Sequence, residues 1–134
     1  MNPPAVSHRF DHVDLRVPSL AEAVPFYARL LPALGFTRDE RIEGWFQLES
    51  DSGEFFGITE DAGHVPNHNR VAFRASNPAE VDSLARLLRE IGARQLEGPQ
   101  WVTAQYYATF FEDPWGNRFE IVFRGHVNPT TMPA

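Results

Sequence analysis

The sequence of 134 residues predicts an α+β fold built from two copies of one module. The first observation behind this prediction is an internal repeat, because HVDLRVPSLAEAVPFYARLLPALGF from His12 is similar to RVAFRASNPAEVDSLARLLREIGA from Arg70. The second is that each copy begins with the alternation of a half-buried strand and continues with apolar residues at helical spacing. The third is that strand-forming runs follow each helix. A chain of this length buries one core, so we expect a single domain over residues 1–134.

Each copy opens with a strand and continues into a helix. The apolar residues of the two strand patterns are Val13, Leu15 and Val17 in the first copy and Val71, Phe73 and Ala75 in the second. Ser19 and Asn77 are typical N-cap residues, and each is followed by a glutamate three positions later. These signals predict helices at about 19–34 and 77–91.

Runs of aromatic and β-branched residues follow both helices and predict further strands. They lie at 41–49, 54–60, 101–112 and 117–124. A shift of 63 positions superposes the glycine turns of the two copies, and the same shift pairs Gly57 with Glu120. The first module therefore extends over about 8–62 and the second over about 66–125, with a polar tail at 126–134.

Charge and composition exclude several classes of partner. With 12 lysine and arginine residues against 18 aspartate and glutamate residues, the net charge is −6, which repels nucleic acid and anionic membranes. The chain has no cysteine, which excludes disulfides and thiolate chemistry and fits a reducing compartment. It shows no export signal and no apolar run of the roughly 18 residues that a membrane span needs. We therefore expect a cytoplasmic protein without nucleic-acid or membrane partners.

Four segments carry a family resemblance: HVDLRV, YARLLPALGF, RVAF and FEDPWGNRFEIV. Together they resemble the vicinal oxygen chelate (VOC) superfamily, which includes glyoxalase I, bleomycin-resistance and fosfomycin-resistance proteins and ring-cleaving dioxygenases. The most specific piece is the pattern F-x-D-P-x-G-N-x-x-E from Phe111 to Glu120, within a similarity that extends roughly from residue 10 to residue 124. The resemblance implies two βαβββ modules that form a curved, cup-like mixed sheet, the glyoxalase/bleomycin resistance/dioxygenase fold.

The resemblance also implies a metal site in the cup, with ligands from the first and last strands of each module. The corresponding positions in this chain are His12, Gly57, Arg70 and Glu120. His12 and Glu120 are therefore the candidate catalytic and metal-binding residues, for one divalent ion such as Zn²⁺, Mn²⁺, Fe²⁺ or Ni²⁺. Two protein ligands hold such an ion weakly, and the charge of Arg70 repels it. His68, two residues before Arg70, could supply a third ligand or could be a solvated loop residue.

Structural interpretations of the same residues compete with the functional ones. Glu120 is a single carboxylate in an otherwise apolar strand, and a buried carboxylate requires a partner. An ion pair with Arg70 would satisfy it without any function. His12 could likewise be a core imidazole that bonds to Tyr106 or Tyr107.

Arginine and aromatic residues on the same strand faces indicate a ligand site in the cup. Arg70, with Arg16 or Arg74, could clamp a carboxylate or a phosphate. The expected aromatic lining includes Trp45, Phe56 and Tyr107, and further candidates are Trp101, Phe110 and, as the alternative to Tyr107, Tyr106. Ordinary core packing is the alternative explanation for such aromatic residues.

Three functions are compatible with these residues. The protein could be a binding module that holds a small anionic or aromatic molecule next to a degenerate metal site. It could be a divalent-metal-dependent lyase, isomerase or dioxygenase of the VOC superfamily, with Glu120 as ligand or base. It could also be a metal-free acid/base enzyme with His12 as base and Arg70 as electrophile. We favour the first function, and the aromatic runs and sheet edges lead us to expect a homodimer.

Overall fold

The computed structural model describes residues 8–125, so residues 1–7 and the predicted tail at 126–134 lie outside the described part. Each module contains a strand, a helix and three further strands. The first module comprises β1 His12–Val17, α1 Leu20–Ala33, β2 Phe36–Ile42, β3 Trp45–Ser50 and β4 Phe55–Glu60. The second comprises β5 Arg70–Arg74, α2 Pro78–Ile91, β6 Arg94–Thr103, β7 Tyr106–Glu112 and β8 Arg118–Arg124. This order confirms the predicted α+β class and the two βαβββ modules.

Each module forms its own four-stranded mixed sheet. The strand order is β1-β4-β3-β2 in the first sheet and β5-β8-β7-β6 in the second. The first strand of each module runs parallel to the last, whereas the other neighbours are antiparallel. β1 and β5 are consequently edge strands, and side chains from both line a common cavity.

The strand-forming runs predict β3, β4, β7 and β8 but miss most of β2 and β6. In β2 every residue after Phe36 is exposed, so no apolar alternation marks the strand. The run at 41–49 therefore crosses the turn at Gly44, whose φ is 78°, and joins two strands into one. In β6 the pairing with β7 is interrupted by register shifts, which break the alternation that sequence patterns depend on. The run at 101–112 likewise joins the end of β6 to β7.

Both helices begin at their predicted caps. Ser19 Oγ accepts a hydrogen bond from the Glu22 backbone N–H at 3.3 Å, and Asn77 Oδ1 accepts one from the Glu80 backbone N–H at 2.9 Å. α2 stops at Gly92, whose φ of 89° is a left-handed conformation that glycine adopts without strain. No helix within residues 8–125 combines the length and the apolar character needed to cross a membrane.

The inner faces of both sheets and the buried faces of both helices form one hydrophobic cluster. Three phenylalanine rings connect the modules inside it. The ring centroid of Phe56 in β4 lies 5.7 Å from that of Phe73 in β5, which lies 6.0 Å from that of Phe119 in β8. Aromatic rings at such distances pack favourably. The modules thus share a core, and the opposite face of each sheet, here called the outer face, carries the polar residues.

A buried carboxylate at the turn between β7 and β8 also joins the modules. Asp113 is fully buried, and its Oδ2 accepts hydrogen bonds from Tyr27 OH of α1 at 2.5 Å and from Asn117 Nδ2 at 2.7 Å. Its Oδ1 accepts from the backbone N–H groups of Trp115 and Asn117, both at 2.9 Å. Asn117 Nδ2 also donates to the Arg16 carbonyl of β1 at 3.1 Å. Burial of the phenol, followed by the charge and hydrogen bond of Asp113, raises the pKa of Tyr27 well above its ordinary value.

Removal of the Tyr27 hydroxyl should destabilise the fold. We expect Tyr27→Phe to lower the free energy of unfolding by about 1–3 kcal/mol, because Asp113 loses a donor inside the core. Tyr107→Phe is the matched control, since Tyr107 OH donates to Asp82 at 2.6 Å in a partly exposed position where water can replace it. Urea unfolding followed by circular dichroism measures both changes. An equal loss of unfolding free energy in the two variants would contradict the expectation that the buried hydrogen bond to Asp113 stabilises the fold more than the partly exposed one to Asp82.

Candidate functional site

Strand alternation decides which predicted site residues lie on the outer faces. These residues are His12 and Arg16 on β1, Trp45 on β3, Arg70 and Arg74 on β5 and Glu120 on β8. The other two predicted aromatic residues, Tyr107 and Phe56, lie on the inner faces of their sheets. Tyr107 faces α2, where it binds Asp82, so it lies outside the site. Phe56 is 1% exposed and belongs to the core, and it also lines the floor of the cavity described next.

A cavity of about 400 Å³ lies between the edge strands β1 and β5. Its floor is apolar and comes from both modules, with Val13, Phe36, Phe56, Val71 and Phe73 as main contributors. His12 and Phe55 line it from the first module, and Arg70 lines it from the second. The carboxylates at its border are Asp11 and Glu54. A volume of this size lies within the usual range of small-molecule pockets, and the structure thereby brings His12 and Arg70 to one site.

His12 is held in place by a ring and two carboxylates. Its imidazole stacks on Phe55 with a centroid distance of 4.3 Å and an angle of 4° between the rings. Nδ1 lies 2.8 Å from Asp11 Oδ2, and Nε2 lies 3.8 Å from Asp14 Oδ2. The alternative of a core imidazole bonded to a tyrosine is therefore wrong, since the side chain is 40% exposed and its nearest polar partner is Asp11.

The position of the second implied metal ligand is closed by a neighbouring ring. A side chain on Gly57 would place its Cβ 3.1 Å from Trp45 Nε1 and 3.2 Å from Asp14 Oδ1. Both distances are shorter than ordinary packing contacts, so any residue larger than glycine would have to displace the indole or the carboxylate. Trp45 thus lies over Gly57 on the outer face of the first sheet, where the family resemblance implied a ligand.

Glu120 is nearly buried, and its partner is a phenol. It is 6% exposed, and its Oε2 accepts a hydrogen bond from Tyr106 OH. The ion pairs within residues 8–125 do not include Arg70, so the predicted pair with Glu120 does not form. The Arg70 guanidinium lies instead 4.9 Å from the ring centroid of Phe110, which is the direct neighbour of Glu120 on β7. Arg70 and Glu120 therefore occupy one face without direct contact.

Burial and the contact with Glu120 both raise the pKa of Tyr106. Burial is the largest cause of a pKa of about 12 for Tyr106, and the hydrogen bond and charge of Glu120 act in the same direction. The positive charges of Arg124 and Arg70 oppose this rise. At neutral pH the phenol is a donor, and Glu120 is an acceptor whose Oε2 is already engaged.

The other predicted residues lie away from the cavity. Arg16 Nη1 forms an ion pair with Asp61 at 3.6 Å. Arg74 is exposed at the end of β5, and His68 is exposed in the loop before β5. None of these three side chains lines the cavity between β1 and β5.

Sequence reasoning missed three residues that take part in the site. Phe55 stacks on His12, Asp11 binds Nδ1 of His12, and Arg118 is the direct neighbour of Arg70 on β8. The parallel pairing of the first and last strands in each module places Phe55 and Arg118 there. A sequence signal existed only for Asp11, as the residue adjacent to a candidate histidine.

Comparison with known proteins assigns the family. A model described as the Glyoxalase/Bleomycin resistance protein/Dioxygenase superfamily matches residues 9–121. The chain belongs to this superfamily. A comparison with curated proteins gives no significant match.

Solved structures of this superfamily are similar to the present one. A glyoxalase/bleomycin resistance protein from Albidiferax ferrireducens T118 has a TM-score of 0.73 and 26% identity, over 87% of this chain and 98% of that chain. A genomically encoded fosfomycin resistance protein from Listeria monocytogenes has a TM-score of 0.69 and 17% identity, over 87% and 93%. A family enzyme from Burkholderia phytofirmans PsJN has a TM-score of 0.69 and 15% identity, over 84% and 95%. The last two similarities concern the fold alone.

Members of this superfamily often use a divalent metal, but the donor set within residues 8–125 does not fit one. Across residues 8–125 no three histidine, cysteine, aspartate or glutamate side chains are grouped so that they could hold a metal ion. His12 and Glu120 are engaged by Asp11 and Tyr106, and Trp45 covers the position of a further ligand. A catalytic ion usually has three protein ligands, which the described residues do not supply.

This donor set leads to a prediction about metal content. We expect protein purified without added metal or chelator to contain far less than stoichiometric zinc, manganese, iron or nickel, because the described residues offer no three-ligand group. Elemental analysis by mass spectrometry measures this content, with Glu120→Gln as the matched control that should leave it unchanged. Stoichiometric metal that disappears in Glu120→Gln or His12→Gln would show that the prediction is wrong and would favour a metalloenzyme.

Proposed function

We propose that this protein binds a small molecule with an aromatic ring and an anionic group, without a metal ion, in the cavity between β1 and β5. The observation that carries the proposal is the pairing of an apolar floor with the Arg70 guanidinium in one cavity of about 400 Å³. An apolar pocket with few polar groups is the usual form of a small-molecule site. The floor and the exposed edge of the stacked His12 and Phe55 rings would take up the aromatic part of the ligand.

Arg70 is the group of this cavity that would hold an anion. The two carboxylates at the border already have partners, since Asp11 lies 2.8 Å from His12 Nδ1 and Glu54 Oε1 accepts from Ser52 Oγ at 2.9 Å. Arg70, in contrast, takes part in no ion pair of residues 8–125 and is oriented by the ring of Phe110. A guanidinium without a carboxylate partner binds carboxylate or phosphate oxygens through two parallel hydrogen bonds.

A second candidate function, metal-free proton transfer, uses the geometry of His12. If Nδ1 donates to Asp11, Nε2 is the acceptor, and the ring lines the same cavity as Arg70. That arrangement is a base oriented by a carboxylate, with a cation available to stabilise an enolate-type oxygen. Proton exchange at an activated carbon of a bound ligand in deuterated water would support this function, and its persistence in His12→Gln would exclude His12 as the base.

The binding proposal leads to a prediction for Arg70. We expect Arg70→Gln to weaken the binding of benzoate and naphthoate by roughly tenfold or more, because a charge-assisted hydrogen bond contributes about 1.5–3 kcal/mol. The corresponding neutral amides should bind the wild type weakly and should be insensitive to the substitution. Isothermal titration calorimetry or ligand-detected NMR measures these affinities.

The matched control is Arg74→Gln, which removes an exposed arginine from the same strand and the same face. Since Arg74 does not line the cavity, it should leave the affinities unchanged. If Arg70→Gln and Arg74→Gln lower the binding affinity equally, the loss comes from the change in surface charge and not from a contact in the cavity. That result would contradict the proposed site.

We also propose that the protein is a homodimer. Large apolar side chains at Phe10, Ile42, Val65 and Val102 are exposed, and among residues 8–125 the outermost strands of both sheets pair on one side only. Such edges and patches favour association with a second copy. Light scattering at micromolar concentration should give twice the chain mass of 15.2 kDa. A mass of one chain at that concentration would refute the proposal.

A further inference from the structure

We infer that Arg118 and Arg70 together bind a phosphate-type group of the ligand, so that the site selects phosphorylated aromatic molecules over aromatic carboxylates. This inference rests on the proposed function, because it assigns the anionic end of the same ligand. It assigns a specificity-determining role to Arg118, a residue that the family resemblance does not mark.

The strand register places the two arginines side by side. In the parallel pair of β5 and β8, Arg70 stands directly opposite Arg118. Neighbouring strands lie roughly 4.8 Å apart, and paired residues point to the same face. Like charges in directly opposite positions destabilise a sheet unless something compensates them. Glu112, opposite Arg118 on β7, supplies part of this compensation, and an anion held between the two guanidinium groups would add to it.

Neither arginine has a compensating ion pair among residues 8–125. Two carboxylates lie nearby, since Glu112 stands opposite Arg118 on β7 and Glu97 stands opposite Phe110 on β6. In the described structure, neither carboxylate comes within 4.0 Å of a guanidinium nitrogen of Arg70 or Arg118. Arg70 is instead fixed over the ring of Phe110. Both guanidinium groups therefore keep their hydrogen-bond donors available.

A small polar cavity lies at the two arginines. It has a volume of about 190 Å³, and Arg70, Arg118, Gln95, Glu97 and Glu112 supply its polar lining. Gln95 has a φ of 51°, an uncommon conformation for a residue with a side chain and one that tends to occur at functional sites. Its side-chain amide adds a neutral donor to the two cations. The space suits a small polar group rather than an aromatic ring, and an anionic group would have to lie on the side of the two arginines, away from Glu97 and Glu112.

The small cavity adjoins the larger one because Arg70 lines both. A ligand whose ring lies in the larger cavity could therefore extend its anionic end across Arg70 to Arg118. One guanidinium saturates a carboxylate through two parallel bonds, whereas a phosphate has three terminal oxygens and can engage two guanidinium groups. The pair therefore favours phosphate over carboxylate.

Binding of phenyl phosphate and benzoate to four proteins tests the inference: the wild type, Arg118→Gln, Arg70→Gln and Arg124→Gln. The wild type should bind phenyl phosphate roughly tenfold tighter than benzoate, as one additional charge-assisted contact implies. Arg118→Gln should remove this preference and leave benzoate affinity nearly unchanged, whereas Arg70→Gln should weaken both ligands. Arg124→Gln, an exposed arginine on the same strand, is the matched control and should change neither affinity.

Stability measurements separate a binding role from a folding role. Without ligand and at low salt, Arg118→Gln should melt at or above the wild-type temperature, because the like-charge contact with Arg70 is gone. Inorganic phosphate should raise the melting temperature of the wild type more than that of Arg118→Gln. Arg118→Lys, which keeps the charge but not the planar fork, should show an intermediate preference for phosphate.

Two outcomes would overturn the inference, and they differ in what they say about the proposed function. If phenyl phosphate and benzoate bind the wild type equally and Arg118→Gln changes neither affinity, the small-molecule site stands and the role of Arg118 is wrong. If neither ligand binds the wild type while the protein is folded, the proposed function and this inference both fail.

Discussion

The buried carboxylate of Asp113 is the constraint on which the rest of the structure depends. It closes the turn between β7 and β8, accepts the phenol of Tyr27 from the first module, and holds Asn117 against the Arg16 carbonyl of β1. A carboxylate in the core is tolerated only when its hydrogen bonds are complete, so the three residues that bond to Asp113, namely Tyr27, Trp115 and Asn117, cannot vary independently. Because this turn begins β8, the network also sets which residues of β8 stand opposite β5. The buried network around Asp113 therefore determines which β8 side chains lie on the outer face of the second sheet beside those of β5.

The cavity follows from the way in which the modules meet. Phenylalanine rings from β4, β5 and β8 pack in a shared core, whereas the edge strands β1 and β5 belong to separate sheets. The space between these edges keeps an apolar floor, and the residues at its border come from the outer faces. An aromatic stack of His12 and Phe55 and the cation of Arg70 thus approach the same space from different modules. The proposed ligand therefore places its aromatic ring next to His12 and Phe55 and its anionic group next to Arg70.

The residues for which the family resemblance implies a role as metal ligands make other contacts in this chain. Here His12 lies between Asp11 and Asp14 and stacks on Phe55, while Glu120 accepts from Tyr106. Strand alternation places His12 on the outer face of β1 and Glu120 on the outer face of β8, and this placement does not depend on which groups the two side chains contact. A fold supports many chemistries through such changes at a few positions, and for this reason our proposal rests on the cavity and its charges rather than on family membership.

The sequence by itself determined what depends on short-range preferences: the repeated modules, the capped helices, and the strand faces of β1 and β5. The polar strand β2 and the irregular strand β6 lack such a local pattern, and only pairing with their neighbours defines them. The tertiary structure alone decided the partners within the site. It placed Tyr106 rather than Arg70 on Glu120, and it placed Trp45 over Gly57. Both contacts lie between neighbouring strands of one sheet, so they depend on strand register and side-chain packing, which leave no periodic signal in the sequence.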